Sequence, residues 1–168
     1  MKDSNFLIQR RAARLSGIAL AATSIGFGQA VYAQTAASEL KTEFAFELVL
    51  DVDPQLDAGH VRIAPVTGGT FRGPGINGTV HPGGADWITQ VSGHSSLDVR
   101  ITLETDDGAI IFMSYTGVVG QGPNGLYWRV RPIFSTTSDE YDWLNHTVFI
   151  GKNKQVPGKV AYDIFRIL

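Results

Sequence analysis

The sequence contains no cysteine among its 168 residues. This absence excludes disulfide bonds, a thiolate nucleophile and every zinc site built on sulfur ligands. The four histidines are scattered, and none is spaced from another as a metal-binding pair: His60, His81, His94 and His146. We therefore expect no bound metal ion.

Clustered positive charge and nucleotide-binding motifs are also missing. The chain has 14 basic and 16 acidic residues, and its basic residues do not cluster beyond the N-terminus. Because a nucleic-acid site needs clustered lysine and arginine to neutralise phosphates, we expect no nucleic-acid partner. The sequence has no P-loop, no G-x-S-x-G motif and no G-x-G-x-x-G motif that opens a helix, and we expect no cofactor.

The N-terminus, residues 1–33, has the pattern of an export signal that is removed from the mature protein. A basic segment containing Arg10 and Arg11 precedes an apolar, uncharged run over residues 15–33, which ends in small residues suited to cleavage. The arginine pair suggests the twin-arginine route, and the general secretory route stays open. The predicted location is therefore periplasmic or secreted.

Cleavage would leave a polar lead-in, residues 34–42, followed by one domain over residues 43–168. This mature chain would keep ten basic and fifteen acidic residues, a net charge of −5 with histidine neutral. Its apolar runs are too short to anchor it stably in a membrane. The remaining length is that of a single domain.

Apolar residues recur with a period of two along most of the chain, which predicts β-strands. In the segment 97–104, Leu97, Val99, Ile101 and Leu103 alternate with polar residues. Eight or nine such runs alternate with glycine-, proline- and aspartate-containing turns, which indicates an all-β sandwich or barrel. From this period alone, the polar side of the segment faces either solvent or the lumen of a barrel.

Four sequence blocks, in order, resemble the domain-of-unknown-function 3237 family, also called uncharacterised protein family 0311. These blocks are P-x-T-G-G-T-F-x-G-P from Pro65, P-G-G-A-D-W from Pro82, D-x-R-x-T-L-x-T-D-D-G from Asp98 and Y-x-W-L-N from Tyr141. The resemblance implies one antiparallel β-barrel of about eight strands, similar to calycin and allene-oxide-cyclase-like barrels. It also leads us to expect Asp98 and Arg100 in or beside the lumen, because both belong to the family pattern.

Three residues are the candidate catalytic groups: Asp86, Asp98 and Arg100. A carboxylate beside the indole of Trp87 would be destabilised by desolvation, whereas one beside an arginine would be stabilised, which gives separate acid and base roles. Asp98 and Arg100 lie two residues apart on one strand and therefore share a face. The alternative is a structural aspartate–arginine pair that ties neighbouring strands together.

Six residues are the candidate ligand-binding groups: Trp87, Tyr115, Tyr127, Arg129, Trp143 and Asn145. Tyr127 and Arg129 share a strand face and could bind a carboxylate, phosphate or enolate oxygen. Trp143 and Asn145 could supply an aromatic wall and an amide that orients a carbonyl. The alternatives are an exposed strand arginine, a core tryptophan and a turn-stabilising asparagine.

These features predict an exported barrel with a pocket for a small molecule. A cofactor-free isomerase, cyclase or lyase acting on a small oxygenated or aromatic compound fits best, because such chemistry needs only positioned acids, a phenol and an apolar cup. A non-catalytic carrier of apolar metabolites and a plugged structural or oligomerising barrel are the alternatives. A homodimer is the expected assembly, since small barrels often cover an exposed edge in that way.

Overall fold

A computed structural model of the protein describes residues 39–168. The predicted export signal, residues 1–33, lies outside the described residues, and export stays a prediction. In the part of the chain that is described, no helix combines the length and the apolar character needed to cross a membrane.

Ten β-strands and one short 3₁₀ helix make up the described fold. The elements are β1 (Thr42–Val52), β2 (Leu56–Asp57), β3 (Val61–Gly73), β4 (Ile76–Val80), β5 (Gly84–Val91), β6 (His94–Thr105), β7 (Ile110–Gly122), β8 (Gly125–Ser135), the 3₁₀ helix (Asp142–His146), β9 (Phe149–Lys154) and β10 (Val160–Ile167).

The strands close into an antiparallel barrel with eight strand positions. β1 pairs with both β10 and β3, which joins the two ends of the sheet. β4 and β5 share one position between β3 and β6, because β4 pairs with residues 70–73 of β3 and β5 pairs with residues 61–66. This architecture confirms the predicted all-β antiparallel barrel.

Close backbone approach at the β4 corner requires glycine at position 78. A Cβ atom on Gly78 would lie 2.0 Å from the Glu104 carbonyl oxygen and 2.7 Å from the Phe71 ring. The neighbouring strands β3 and β6 can therefore approach β4 here only because the residue has no side chain.

One half of the barrel interior is filled with aromatic side chains. The ring centroids of Phe46 and Phe134 are 5.8 Å apart, and those of Phe134 and Phe149 are 4.9 Å apart. Leu144 of the 3₁₀ helix is 1% exposed and joins this cluster, which we call the closed end. The other half contains a cavity, and β10 connects the two: Val160 lines the cavity, whereas Arg166, about 20 Å along the strand, contacts Trp143 at the closed end.

Candidate functional site

The cavity in the open half of the barrel has a volume of about 210 Å³. Its walls are mainly aliphatic side chains that point inward from the strands, and the apolar lining includes Leu50, Val66, Ile88, Leu97, Val119 and Val160. Polar residues gather where the cavity opens to solvent: Asp53, Gln55, Arg62 and Ser95. The site is therefore an apolar cup with a polar mouth, which is the form expected of a small-molecule pocket.

Asp86 is the acidic side chain on the inner wall of this cup. The period of two along β5 turns Asp86 and Ile88 inward, and Asp86 lies opposite Ala64 and Val99 on the paired strands. Its Oδ1 atom is buried and has no hydrogen-bond partner within residues 39–168. A carboxyl group with one unpaired oxygen in an apolar wall is costly when ionised.

Burial raises the pKa of Asp86 from 3.8 to about 7. A backbone hydrogen bond with Asp98 lowers this pKa in part, and the negative charge of Asp98 raises it. The charge of Asp86 in turn helps to raise the pKa of Tyr115 and of Tyr162 inside the barrel, while Asp53 and Arg62 lie at the mouth. Asp86 is therefore poised to accept or donate a proton near neutral pH.

Three aromatic residues with polar atoms stand beside Asp86. Tyr115 on β7 is 3% exposed and lines the cavity. Behind it, Tyr162 on β10 is fully buried, with its ring centroid 5.6 Å from that of Tyr115 and 5.8 Å from that of Trp128. Burial raises the pKa of both tyrosines, so each remains a protonated hydroxyl at physiological pH.

The structure brings together two of the predicted site residues, Asp86 and Tyr115. The expected lumen position of Asp98 and Arg100 is wrong, because both side chains point away from the barrel and are about half exposed. Their inward-facing neighbours on β6, Leu97 and Val99, are buried in the core. The hydrophobic effect therefore selects the apolar side of this strand for the interior.

Trp87 lies outside the barrel with this pair. It is 36% exposed, and the Arg100 guanidinium carbon lies 5.5 Å from its ring centroid. The Nη2 atom of Arg100 is 3.4 Å from Oδ2 of Asp98. Trp87, Asp98 and Arg100 thus form an outer cluster on β5 and β6. The same alternation that turns Asp86 inward takes Trp87, a predicted ligand-binding residue, away from the cavity.

Tyr127 and Arg129 also face the outside. The Arg129 guanidinium carbon lies 5.0 Å from the Tyr127 ring centroid, and Nη1 of Arg129 donates to the Trp128 carbonyl oxygen at 2.9 Å. Both residues border an open groove on the outer surface, away from the Asp86 cavity. Their strand does contribute to the cavity, but through Trp128 on its opposite face.

Trp143 and Asn145 lie at the closed end, on the 3₁₀ helix. The Trp143 ring packs 5.9 Å from the Phe149 ring. Asn145 accepts a hydrogen bond from the Thr136 backbone N–H at 3.0 Å and donates to the Thr136 carbonyl and to Asp142 Oδ1, both at 2.9 Å. This arrangement matches the alternative of a turn-stabilising asparagine and separates both residues from the cavity.

Two residues of the site, Trp128 and Tyr162, are absent from the prediction. Trp128 shares the inward face of β8 with Val130 and Phe134, which are buried. The alternation in the sequence places Trp128 on this apolar face. The predicted ligand-binding residues of the strand, Tyr127 and Arg129, lie on the opposite face. Tyr162 is embedded in the apolar strand β10, where no motif distinguishes it from a core residue.

Known proteins resemble this chain in sequence and in fold. An uncharacterised protein of the 0311 family from Rhodopseudomonas palustris is 30% identical over 149 residues, which cover 77% of this chain and 97% of the relative. The crystal structure of a β-barrel-like protein from Acinetobacter baumannii is 29% identical, covers 80% of this chain and 100% of its own, and superposes with a TM-score of 0.73.

A more distant relative carries a chemical name. It is called a hydroalkoxylation enzyme, comes from Penicillium herquei, and is 30% identical over 114 residues, covering 65% of this chain and 71% of the relative. Residues 40–167 match a family model described as "Protein of unknown function (DUF3237)". The chain belongs to that family.

Proposed function

We propose that this protein is an acid–base enzyme that uses Asp86 to move a proton on a small, oxygen-bearing and otherwise apolar substrate. One observation carries the proposal: a buried carboxyl group with an unpaired oxygen and a pKa of about 7 lies on the wall of an apolar cavity. General acid–base catalysis is most efficient when the pKa of the group is close to the working pH.

The reaction class that fits this site is the intramolecular addition of an O–H group across a carbon–carbon double bond. Hydroalkoxylation means the addition of an O–H group across a carbon–carbon multiple bond, so this class agrees with the name of the Penicillium herquei relative. The Asp86 carboxylate removes the hydroxyl proton as the oxygen bonds to one alkene carbon, and protonated Asp86 returns that proton to the other carbon. The product is an isomer of the substrate, so the step needs no oxidant, reductant or second substrate.

Turnover of ortho-hydroxyphenyl propenyl ketone, which closes to a methyl chromanone, tests this proposal. Loss of the conjugated enone is followed by ultraviolet absorbance in buffer, with the wild-type protein and with two variants. We expect the wild type to accelerate ring closure and the rate to rise with pH through about 7, because Asp86 must be ionised to act as the base. We expect Asp86→Asn to lose about 10²-fold or more of that acceleration.

Asp98→Asn is the matched control, since it removes a carboxylate from the neighbouring strand but on the outer face. Its rate should stay close to that of the wild type, because the charge of Asp98 is the smallest of the three effects on the pKa of Asp86. Equal rates for the wild type and Asp86→Asn, or no acceleration over buffer, would contradict the proposal. Binding of the ketone without acceleration would support the alternative of a carrier.

A further inference from the structure

The outer face of β6, β7 and β8 leaves large apolar side chains in contact with water. Along β7, Ile110, Phe112 and Val118 alternate with buried residues and point outward. Ile133 does the same on the neighbouring strand β8. The exposed fractions of these four residues lie between 42% and 58%. Exposed apolar residues gathered on paired strands of one sheet are typical of an interaction surface.

A row of polar and charged residues crosses the middle of this face. Thr116 on β7 is registered with Asp98 on β6 and with Arg131 on β8. Asp98 and Arg131 are therefore two strand spacings apart, about 10 Å, which is too far for an ion pair within one barrel. Within residues 39–168, Arg131 has no carboxylate at ion-pair distance. The Asp98 side chain is half exposed, so it can accept a second cation beside Arg100.

A two-fold axis that runs along β7 brings these two charges together. Rotation about this axis lays the outer face of one barrel on the outer face of a second copy, with β7 against β7. The same rotation places β6 of each copy against β8 of the other. Because Asp98 and Arg131 lie at the same level on either side of β7, each Asp98 then faces Arg131 of the second copy.

This rotation also covers the apolar residues. The side chains of β7 lie next to the axis, so Phe112 meets Phe112 of the second copy, and Val118 meets Val118. Ile133 is registered with Ser114, which is registered with Arg100 on β6. Ile133 therefore packs against the aliphatic part of Arg100 of the second copy.

An axis that crosses the strands does not fit this face. It would lay β8 of one copy on β8 of the other, and the sequence of β8 contains no acidic residue. The charge of Arg131 would then be covered without an opposite charge, which is unfavourable.

We propose that this protein forms a homodimer through the outer faces of β6, β7 and β8, with reciprocal Asp98–Arg131 ion pairs on both sides of a two-fold axis along β7. A second copy fits this face because a single chain carries both halves of the charge pair, and because the apolar residues on the axis match themselves. Burial of Phe112, Val118 and Ile133 stabilises the dimer, and the ion pairs fix how the two barrels are aligned.

Charge reversal at the two paired positions tests this dimer. The full chain is studied by sedimentation velocity at micromolar concentration, where we expect the wild type to be a dimer. Asp98→Arg and Arg131→Asp should each be a monomer, because like charges then face each other on both sides of the axis. Lys41→Glu is the matched control, since Lys41 directly precedes β1, which lies across the barrel from β7. It should remain a dimer.

A mixture of the two reversed variants provides a readout that misfolding or general association does not imitate. In a dimer with one chain of each variant, every reversed residue faces a residue of opposite charge, so both ion pairs form again. We expect native mass spectrometry of equimolar Asp98→Arg and Arg131→Asp to show dimers that contain one chain of each. The double variant Asp98→Arg/Arg131→Asp should also be a dimer.

The apolar part of the interface is tested by Phe112→Ser. It should raise the dissociation constant of the dimer by about ten-fold or more, because the two rings meet on the axis. Phe44→Ser makes the same change at a residue of similar exposure, 39% against 44%, on β1 across the barrel. It should leave the dissociation constant unchanged.

Three results would overturn the inference: a monomeric wild type, a reversed variant that stays fully dimeric, or two folded reversed variants that stay monomeric when they are mixed. Circular dichroism checks that each variant keeps its β-sheet. The dimer and the proposed reaction can fail separately, because Asp86 and the cavity lie on the inner side of each barrel wall. Asp98→Asn should therefore weaken the dimer while ring closure continues.

Discussion

Asp86 and Asp98 lie on hydrogen-bonded neighbouring strands but face opposite sides of the barrel wall. Asp86 is registered with Val99, so Asp98 is opposite Trp87 and shares its outward direction. Asp86 stands in the apolar cavity with an unpaired oxygen, whereas Asp98 is half exposed beside Arg100. Two paired strands thus hold two carboxyl groups in different environments, one in an apolar cavity and one in contact with water. Asp98 is therefore the matched control for the experiments on Asp86.

The buried carboxyl should make stability depend on pH. Because the folded-state pKa of Asp86 is raised to about 7, its contribution to stability is full below pH about 4 and is lost as the pH rises through about 7. The full shift corresponds to about 4 kcal/mol, which water at the open cavity reduces. We expect Asp86→Asn to be about 1–3 kcal/mol more stable than the wild type at pH about 8.5 and little different at pH about 4.

Urea unfolding at the two pH values measures this difference. Asp98→Asn, with its carboxylate in solvent, should show no comparable gain at high pH. A variant Asp86→Asn that is less stable than the wild type at pH about 8.5 would show that the carboxylate has favourable partners.

Filling the cavity should block binding without unfolding the barrel. Ala64 lies opposite Asp86 on β3 and lines the cavity, so the larger side chain of Ala64→Leu would enter empty space. We expect the affinity for the methyl chromanone product to fall by about ten-fold or more while the melting temperature stays close to that of the wild type. Unchanged affinity in a folded Ala64→Leu protein would place the binding site elsewhere.

Removing the amide at the closed end should affect stability and leave the cavity unchanged. Asn145→Ala loses one accepted and two donated hydrogen bonds that hold the segment from Thr136 to Asp142. We expect a loss of about 1–2 kcal/mol in the free energy of unfolding, with unaltered affinity for the methyl chromanone product. A selective loss of affinity in a stable Asn145→Ala protein would restore the ligand-binding role predicted from the sequence.

The fold could be predicted because strand alternation and turn residues act locally. The period of two in residues 97–104 puts Leu97 and Val99 on one face of β6 and Asp98 and Arg100 on the other. This pattern alone was enough to predict that the apolar face of β6 points into the barrel. Membership of the family pattern made the polar face look functional. That pattern carries no information about which side of a strand faces inward, whereas burial of apolar area does.

The complete site was beyond sequence analysis because its members come together only on barrel closure. Asp86, Tyr115, Trp128 and Tyr162 stand on four different strands, and their registers are set by the pairing of the whole sheet. Trp143 and Asn145 are residue types that often line binding sites, but they lie at the closed end of the barrel. Trp143 contacts Arg166 near the end of β10, whereas Val160 at the start of β10 lines the cavity. The predicted homodimer and periplasmic or secreted location stay predictions.

Titration of the Asp86 carboxyl carbon by nuclear magnetic resonance tests the central claim most directly. The Asp86 signal is identified as the one missing from the spectrum of Asp86→Asn, and its chemical shift is followed from acid to mildly alkaline pH. The account predicts a midpoint at about 7, because burial in the apolar cavity disfavours the ionised form. A midpoint near 4, the ordinary value for a solvated aspartate, would contradict it.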